Sequence, residues 1–587
     1  MKGLPKLKPI NYLKKPHLQL MRGFPSYLNY QIDQMRKNLF HFIFFITFST
    51  SAQQLTVSQN EVIQWSYESQ KTYQDPFWEV DLDLVVKKPD GSQQVVPAFW
   101  AGANTWTIRY SASETGNYSF TTRCSDSKNK DLHAQKGQVK VVAYQGENPL
   151  YKHGTIKVSE DQSHFEHLDG KPFFWLADSW WFGMSDRLKW PGEFQMLTTD
   201  RKQKGYTVIQ FAIGFPCDIA PMDPRGQNAA GDPWTEDFKT INPAYFDLAD
   251  LRIEWLIKQG MLPNMMPNWG YYMEFMGVEK LKKHWRYVLA RYGAYPVVWN
   301  LCGEVSLPWY PLEWTDEKIA WQKSEYTEVA QYVQAHEPFD RLLTVHPGPF
   351  ATDFNHVDDM SLIDFVFLQP GHNGFETLPR AVSQMRFASN KFSNRPVLVG
   401  EACFEGMHGG GSGEKVQRFL FWSTFMLGAP GFSYGADAIW QFNREGDPFG
   451  VSPTGVTWGN MPWEEAYQWP GAEQVGIGHK ILQNAEWWNF EPHPEWISEH
   501  ATNEDHFKPY VSGIPGKAIG AYFYKRVRDG QYQLDGLEPG HHYQAVYYDP
   551  RTGDAYDQGE FSLKEGEKYK VPAAPINQDW VLLIERK

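Results

Sequence analysis

The chain has 587 residues, of which 42% are hydrophobic and 21% charged, so it is long enough for several domains and its composition excludes a largely disordered protein. The formal net charge is −13, and the first 52 residues carry a strong basic excess, which leaves about −20 on the remainder. A surface of that sign repels nucleic acid and anionic membranes, so we expect neither as a partner.

The N-terminal segment has the pattern of a secretory signal. A short basic start is followed by an apolar run at residues 39–48 and by small residues that end at Ala52. The apolar run is shorter than the roughly 20 residues that a membrane-spanning helix needs. We therefore expect the true start at Met35, with residues 1–34 the result of a wrongly assigned start codon. We also expect a signal peptide within 1–52 and a periplasmic or secreted protein without a membrane anchor.

The next region, residues 53–148, predicts a small β-sandwich. Apolar residues alternate with acidic ones at 78–84, and the turn sequence Pro-Asp-Gly follows at 89–91. Further alternating stretches occupy 105–110 and 117–123. Short strands at this spacing, separated by turns, are typical of a two-sheet sandwich.

The segment 149–495 predicts a (β/α)8 barrel, because short apolar runs alternate with amphipathic stretches. The stretches 244–260 and 279–293 carry apolar residues on one helical face and end at glycine. A doubly wound sheet is the alternative, but no glycine-rich phosphate loop follows any run. Residues 496–587 return to short alternating strands and predict a second sandwich. The eight predicted barrel strands are 173–177, 207–213, 261–266, 297–301, 342–346, 363–368, 396–400 and 430–434.

Two glutamates follow predicted strands on opposite sides of the barrel mouth. Glu304 comes after the fourth strand and Glu401 after the seventh, and catalytic residues of such barrels stand at these strand ends. Cleavage of a glycosidic bond needs one carboxylic acid and one carboxylate. We predict Glu304 as the acid/base and Glu401 as the nucleophile. Each could instead face a helix dipole, and Glu405 is an alternative to Glu401.

Other polar and aromatic residues after the strands are candidates for substrate binding. Flat rings stack on the apolar faces of sugars, although any one tryptophan is by default a core residue. For Asp178, capping of the next helix is an equal alternative. The four cysteines match no zinc spacing and no HExxH motif occurs, so we expect no metal and no cofactor. The candidates are Asp178, Trp180, Trp181, Asn268, Trp269, His346, Gln369, His372, Glu405, Tyr434 and Trp440.

Spaced motifs along the predicted barrel resemble one family, the apiosidase-like barrels around glycoside hydrolase family 140. The resemblance implies a (β/α)8 glycoside hydrolase. Glu304 stands where that family usually has aspartate, and Gly303 stands where the wider group of barrels has asparagine. These departures weaken the implication that the substrate is apiose-containing pectin. The motifs are residues 173–178, 400–401, 404–406, 434–436, 439–442, 470–472, 487–488 and Pro492.

The flanking regions also resemble known modules. Residues 97–100 and 116–118 resemble an immunoglobulin-like domain of related bacterial hydrolases, and residues 549–553 resemble a module named for collagen binding. A sandwich beside a barrel is more often structural, so we expect that role for the tail.

The sequence therefore predicts a glycoside hydrolase that acts on a plant or algal polysaccharide or its oligosaccharides and retains anomeric configuration. The alternative is a non-catalytic carbohydrate-binding protein on a barrel scaffold. Two opposed carboxylates favour the enzyme, because binding a neutral sugar does not require such a pair. A polysaccharide lyase would need a tyrosine or histidine base and a group that neutralises a uronate.

Overall fold

The computed structural model describes residues 53–349, 351–407 and 412–587. The predicted signal segment, residues 1–52, lies outside the described residues. Among the helices of the described ranges, none combines the length and the hydropathy of a membrane span.

The N-terminal region is a sandwich of two β-sheets. Apolar side chains of both sheets, among them Trp65, Trp106 and Phe120, fill the space between them. The five-stranded sheet contains, in spatial order, Gln53–Ser58, Lys136–Val142, Gly116–Cys124, Leu82–Lys87 and Gln93–Pro97. The three-stranded sheet contains Ile63–Glu68, Thr105–Tyr110 and Phe99–Trp100.

One local prediction in this region is wrong. The alternating pattern at 78–84 predicted a strand that includes Trp78, but Trp78 lies in the helical turn Pro76–Glu79. The side chain of Asp75 accepts a hydrogen bond from the Trp78 backbone N–H, and Pro76 occupies the first helical position. Both features favour a helix start, so the strand begins only at Leu82.

Eight parallel strands form the central barrel, as predicted. Six are hydrogen-bonded in the spatial order β5-β4-β3-β2-β1-β8, and β6 pairs with β7. Between β5 and β6, the Asp364 backbone N–H donates to Leu343 O at 2.8 Å. Beyond β7 and β8, Glu405 and Ala436 form a parallel bridge. The strands are β1 (Trp175–Ser179), β2 (Val208–Phe215), β3 (Leu262–Asn268), β4 (Val298–Asn300), β5 (Leu343–Thr344), β6 (Val366–Leu368), β7 (Val397–Val399) and β8 (Gly431–Tyr434).

Helices follow seven of the eight strands. The connection from β5 to β6 has a 3-10 turn, Met360–Leu362, in its described residues. Helix α2 begins at Pro243 and is followed by Gly260, whose φ of 77° is left-handed and favours glycine. The helices are α1 (Gly192–Lys204), α2 (Pro243–Lys258), α3 (Met273–Tyr292, interrupted at Gly277), α4 (Asp316–His336), α5 (Leu378–Lys391), α6 (Glu414–Met426) and α7 (Pro470–Leu482).

A small antiparallel sheet covers the amino ends of the barrel strands. Its strands are Ile156–Val158, Phe165–His167 and Pro172–Phe173. The Phe165 ring packs against Trp175, at the start of β1, with ring centroids 5.6 Å apart. This end is therefore filled, and the carboxyl ends of the strands are left to form a site.

A buried ion-pair cluster ties the N-terminal sandwich to the barrel. The Arg109 guanidinium donates to both oxygens of Asp250, which lies in α2, at 3.3 and 2.5 Å. Arg291 of α3 donates to the same carboxylate at 3.0 and 2.7 Å. Although burial opposes ionisation, the two guanidinium charges lower the pKa of Asp250 to about 2.

The C-terminal region is the second sandwich. Its core contains Trp580, Tyr543 and Phe523. Arg418 of α6 forms an ion pair with Asp579 at 2.9 Å, which joins this region to the barrel. The larger sheet contains, in spatial order, Glu491–Pro492, Tyr510–Ile514, Ala518–Phe523, Trp580–Arg586, His542–Tyr548 and Ala555–Ser562, and the smaller contains Gln533–Leu534 and Tyr569–Lys570.

Candidate active site

The two predicted catalytic carboxylates meet through one amide. Gln369, directly after β6, donates from Nε2 to Glu304 Oε1 at 3.0 Å and to Glu401 Oε1 at 3.0 Å. Because one nitrogen reaches both oxygens, these oxygens are separated by no more than about 6 Å, which is close to the spacing of carboxyls that flank one glycosidic bond.

The backbone at Glu304 is held in an uncommon conformation. Its φ is 48°, in the left-handed region that few residues other than glycine adopt. Trp269, directly after β3, donates from its indole nitrogen to Glu304 Oε2 at 2.8 Å. A Cβ atom on Gly303 would overlap the Trp269 ring. Glycine is therefore required before Glu304, which accounts for the departure from asparagine noted in the sequence.

Glu401 is buried between two histidines. His372 Nε2 lies 2.9 Å from Glu401 Oε1, and His346 Nε2 lies 3.2 Å from Oε2. The backbone N–H of His346 donates to Asn300 Oδ1 at 2.8 Å, which fixes the loop after β5. A Cβ atom on Gly400 would overlap the Phe367 ring, so glycine lets β7 end close against β6.

The two carboxyls have opposite preferences for the proton. Burial and the neighbouring charge of Glu401 raise the pKa of Glu304 above its ordinary range. Burial alone would also raise the pKa of Glu401, but the contacts with His346 and His372 outweigh it and lower this pKa to about 2. Of the two carboxyls, the arrangement therefore favours the proton on Glu304 and the charge on Glu401.

Trp181 completes the group of predicted residues that surround the pair. Its ring centroid lies 5.4 Å from that of Trp269 and 5.6 Å from that of His346. The structure thus brings Trp181, Trp269, His346, Gln369 and His372 together with the two glutamates.

Four other candidates lie in a separate buried network, and their contact with substrate stays a prediction. Both Asp178 oxygens are occupied, because Oδ2 accepts from Arg201 Nε at 2.6 Å and from Trp180 Nε1 at 2.7 Å, and Oδ1 accepts from the next backbone N–H. Glu405 accepts from the Tyr434 hydroxyl at 2.7 Å and from the Gly471 N–H at 3.1 Å. The Arg201 guanidinium also faces the Tyr434 ring. In this structure the polar atoms of these four residues bind other protein groups and thereby support the barrel.

The last two candidates, Asn268 and Trp440, contact residues of the loops around the site. Asn268 donates to the Tyr326 hydroxyl at 2.7 Å and to Trp269 O at 2.9 Å, so it holds the loop that carries Trp269. The Trp440 ring packs beside Trp458, with centroids 6.5 Å apart, and its indole nitrogen lies 3.4 Å from Asp437 Oδ1.

Three residues that the sequence analysis missed also belong to the site. The Tyr310 hydroxyl lies 3.3 Å from Glu304 Oε2. Burial raises the pKa of Asp218, beyond β2, and of Asp437, beyond β8, to about 7 each. Reading five residues past each predicted strand would have found both aspartates, whereas Tyr310 lies in a long loop without a sequence pattern.

A (β/α)8 barrel with two such carboxyls at opposed strand ends defines a glycoside hydrolase. The sequence model for the apiosidase-like catalytic domain matches residues 159–489, which is more than half of the chain, so the chain belongs to the apiosidase-like family and is a glycosidase. A domain of unknown function, DUF5060, matches residues 56–125. The "Putative collagen-binding domain of a collagenase" matches residues 506–585.

Solved structures share the architecture. A glycoside hydrolase is 21% identical with a TM-score of 0.60, covering 75% of this chain and 98% of that one. A glycoside hydrolase family 5 protein from Bacteroides vulgatus ATCC 8482 is 21% identical with a TM-score of 0.61, covering 75% and 95%. A "putative glycoside hydrolase" from the same organism is 14% identical with a TM-score of 0.64, covering 91% and 100%. At these identities the likeness shows the fold. No curated protein is similar enough to count as a match.

Proposed function

We propose that the enzyme hydrolyses a glycosidic bond with retention of anomeric configuration, with Glu304 as acid/base and Glu401 as nucleophile. The observation that carries the proposal is the Gln369 amide nitrogen, 3.0 Å from an oxygen of each carboxyl. A separation within about 6 Å fits the 5–5.5 Å of retaining enzymes better than the 6.5–9.5 Å of inverting ones, which must hold a water between the carboxyls.

The proton preferences support this division of roles. In the first step, Glu401 attacks the anomeric carbon while Glu304 gives its proton to the leaving oxygen, which produces a glycosyl ester on Glu401 and a free alcohol. In the second step, Glu304 takes a proton from water, the water oxygen attacks the anomeric carbon, and the ester bond to Glu401 breaks. The raised pKa of Glu304 and the lowered pKa of Glu401 suit these starting states.

We also propose that the substrate is a plant or algal polysaccharide or its oligosaccharides and that the enzyme works after export. The match to the apiosidase-like catalytic domain and the two acids at the barrel mouth support a carbohydrate ligand. The signal pattern at residues 1–52 supports a periplasmic or secreted location.

The test is a screen of the purified protein against plant and algal polysaccharides and oligosaccharides, with release of reducing ends as the readout. We expect Glu304→Ala and Glu401→Ala each to lower activity by several orders of magnitude. Proton NMR of the first product formed would give its anomeric configuration. An inverted first product would contradict retention, products with a 4,5-unsaturated end would indicate a lyase, and full activity in both variants would contradict the assigned pair.

A further inference from the structure

A line of aromatic rings leads from the acid/base to the surface. The Tyr310 hydroxyl contacts Glu304, and the Tyr310 and Trp309 rings are nearly parallel, at 24°, with centroids 5.7 Å apart. Trp309 reaches Phe275, whose ring lies 5.5 Å away and is 37% exposed. The buried Tyr271 ring packs against Trp309, with ring centroids 4.7 Å apart. The rings therefore form a continuous wall on the Glu304 side of the site.

A carboxylate is fixed beside this wall. Asp218 lies in the loop after β2, has a φ of 58° and is only 8% exposed. The Trp458 indole nitrogen donates to its Oδ2 at 2.6 Å, which joins the β2 loop to the β8 loop across the barrel mouth. The Tyr271 hydroxyl donates to Pro216 O at 3.1 Å and to Ile219 O at 2.8 Å, on either side of Asp218. Because the Tyr271 ring packs on Trp309 and Tyr310, with centroids 4.7 and 5.0 Å away, the Asp218 loop lies beside these rings. A strained backbone and a buried acid held by one donor are features that cluster at binding sites.

We infer that Trp309, Tyr310 and Asp218 form the subsite that binds the sugar on the leaving-group side of the scissile bond, and that this sugar is neutral. The inference rests on the proposed function, because the acid that protonates the leaving oxygen, Glu304, identifies which side the leaving group occupies. The apolar face of that sugar stacks on the Trp309 and Tyr310 rings, and one of its hydroxyls donates to Asp218.

The charges around the subsite explain why the sugar is neutral. A uronate would bring a second negative charge close to the Glu401 carboxylate and beside the buried acids Asp218 and Glu304. Burial raises the pKa of Asp218, and the positive charge of Arg225 opposes this rise. Its guanidinium is already engaged, by Asp223 at 2.7 and 2.9 Å and by the carbonyls of residues 449 and 451 at 3.0 Å. It is therefore not free to pair with a substrate carboxylate.

The kinetic test compares two substrates of the full-length protein. One is the oligosaccharide that the wild type cleaves, and the other is the glycosyl fluoride of the sugar it releases, because fluoride is too small to occupy the leaving-group subsite. Trp309→Ala and Asp218→Asn should each lower kcat/KM for the oligosaccharide by about tenfold or more and leave the fluoride within about twofold. Trp488→Ala, which removes a half-buried tryptophan beyond α7, is the matched control and should change neither.

A binding test separates this inference from the proposed mechanism. The catalytically impaired Glu401→Gln protein is titrated with neutral oligosaccharides (cello-, manno-, xylo- and galacto-oligomers) and with oligogalacturonides. We expect a neutral oligomer to bind, and to bind more weakly when Trp309→Ala or Asp218→Asn is added. If this binding pattern is found but the wild type hydrolyses none of the oligomers, the proposed function is contradicted and the subsite is not. The subsite would be overturned if oligogalacturonides bound in preference to neutral oligomers or if no oligomer bound. It would also be overturned if the variants lost equal factors of kcat/KM on the fluoride and on the oligosaccharide.

Discussion

The position of Glu304 depends on its own backbone conformation and on close packing between Gly303 and the Trp269 ring. The left-handed backbone of Glu304 costs an ordinary residue about 1–2 kcal/mol, and the indole N–H of Trp269 holds the carboxyl that this backbone presents. The ring of Trp269 in turn occupies the space that a side chain at position 303 would need. Local strain and catalytic geometry are therefore linked through one glycine.

Replacement of Gly303 should impair catalysis more than folding. Gly303→Ala places a methyl group against the Trp269 ring, so the indole and Glu304 must shift, and we expect kcat/KM to fall by about 100-fold with a stability loss of about 1–3 kcal/mol. Gly348→Ala is the control, because a methyl group there meets nothing closer than 3.7 Å. Steady-state kinetics and thermal unfolding of both variants check the prediction, and equal kinetics of the two would contradict it.

The histidines should determine the acidic limit of activity. Contact with His372 helps to lower the pKa of Glu401 to about 2, so Glu401 stays ionised in acid and we expect the acidic limb of kcat/KM to lie far below neutrality. Loss of this contact raises the pKa of Glu401. We therefore expect His372→Ala to move the acidic limb to higher pH, measured as kcat/KM against pH. An acidic limb at the same pH in variant and wild type would show that His372 does not act on Glu401.

At the level of elements, the sequence predicts strands better than the directions of side chains. All eight barrel strands were predicted, because buried parallel strands leave short apolar runs between helices. Glu304 and Glu401 followed from the rule that catalytic groups stand at strand ends. The same rule also selected Asp178 and Glu405, because it does not show which carboxyls meet a buried partner such as Arg201. Tyr310 was missed because its loop has no periodic pattern of apolar residues.

Glu405 should make stability depend on pH at neutrality. Burial raises its pKa to about 7 from 4.5, so the folded state prefers the protonated acid. The stability that protonated Glu405 contributes is fully present below about pH 4.5 and is lost as the pH rises through 7. The total loss is up to about 3 kcal/mol in the free energy of unfolding. Glu405→Gln keeps the shape of the side chain but does not titrate. The free energy of unfolding of this variant, relative to wild type, should therefore rise by up to about 3 kcal/mol between pH 5 and pH 8. Chemical denaturation at several pH values measures this, and a difference independent of pH would contradict it.

At the level of the whole molecule, the sandwiches are packed on the barrel through buried ion pairs. Arg109 reaches from the N-terminal sandwich to Asp250 of the barrel, and Asp579 reaches from the C-terminal region to Arg418. A buried pair leaves an uncompensated charge when one partner is removed. The flanking domains are therefore expected to stabilise the barrel, whatever else they bind.

Arg109→Leu should destabilise the protein strongly without touching the site. The change leaves Asp250 with Arg291 alone, and we expect a loss of about 3–5 kcal/mol. Arg123→Leu is the matched control in the same sandwich, because Arg123 is largely exposed and its pair with Asp83 is worth at most about 1 kcal/mol. Calorimetric unfolding of both variants checks the difference. Similar midpoints for the two would mean that the sandwich does not support the barrel through this cluster.

Indole nitrogens hold several of the carboxyl groups described above, since Trp269 binds Glu304, Trp458 binds Asp218 and Trp180 binds Asp178. An indole N–H donates a hydrogen bond but carries no charge and does not titrate in water. Unlike a lysine or histidine partner, it keeps its donor in acid and in alkali. Glu304 can therefore lose and regain a proton while Trp269, which aims it, stays the same, and this separates the control of its geometry from the control of its charge.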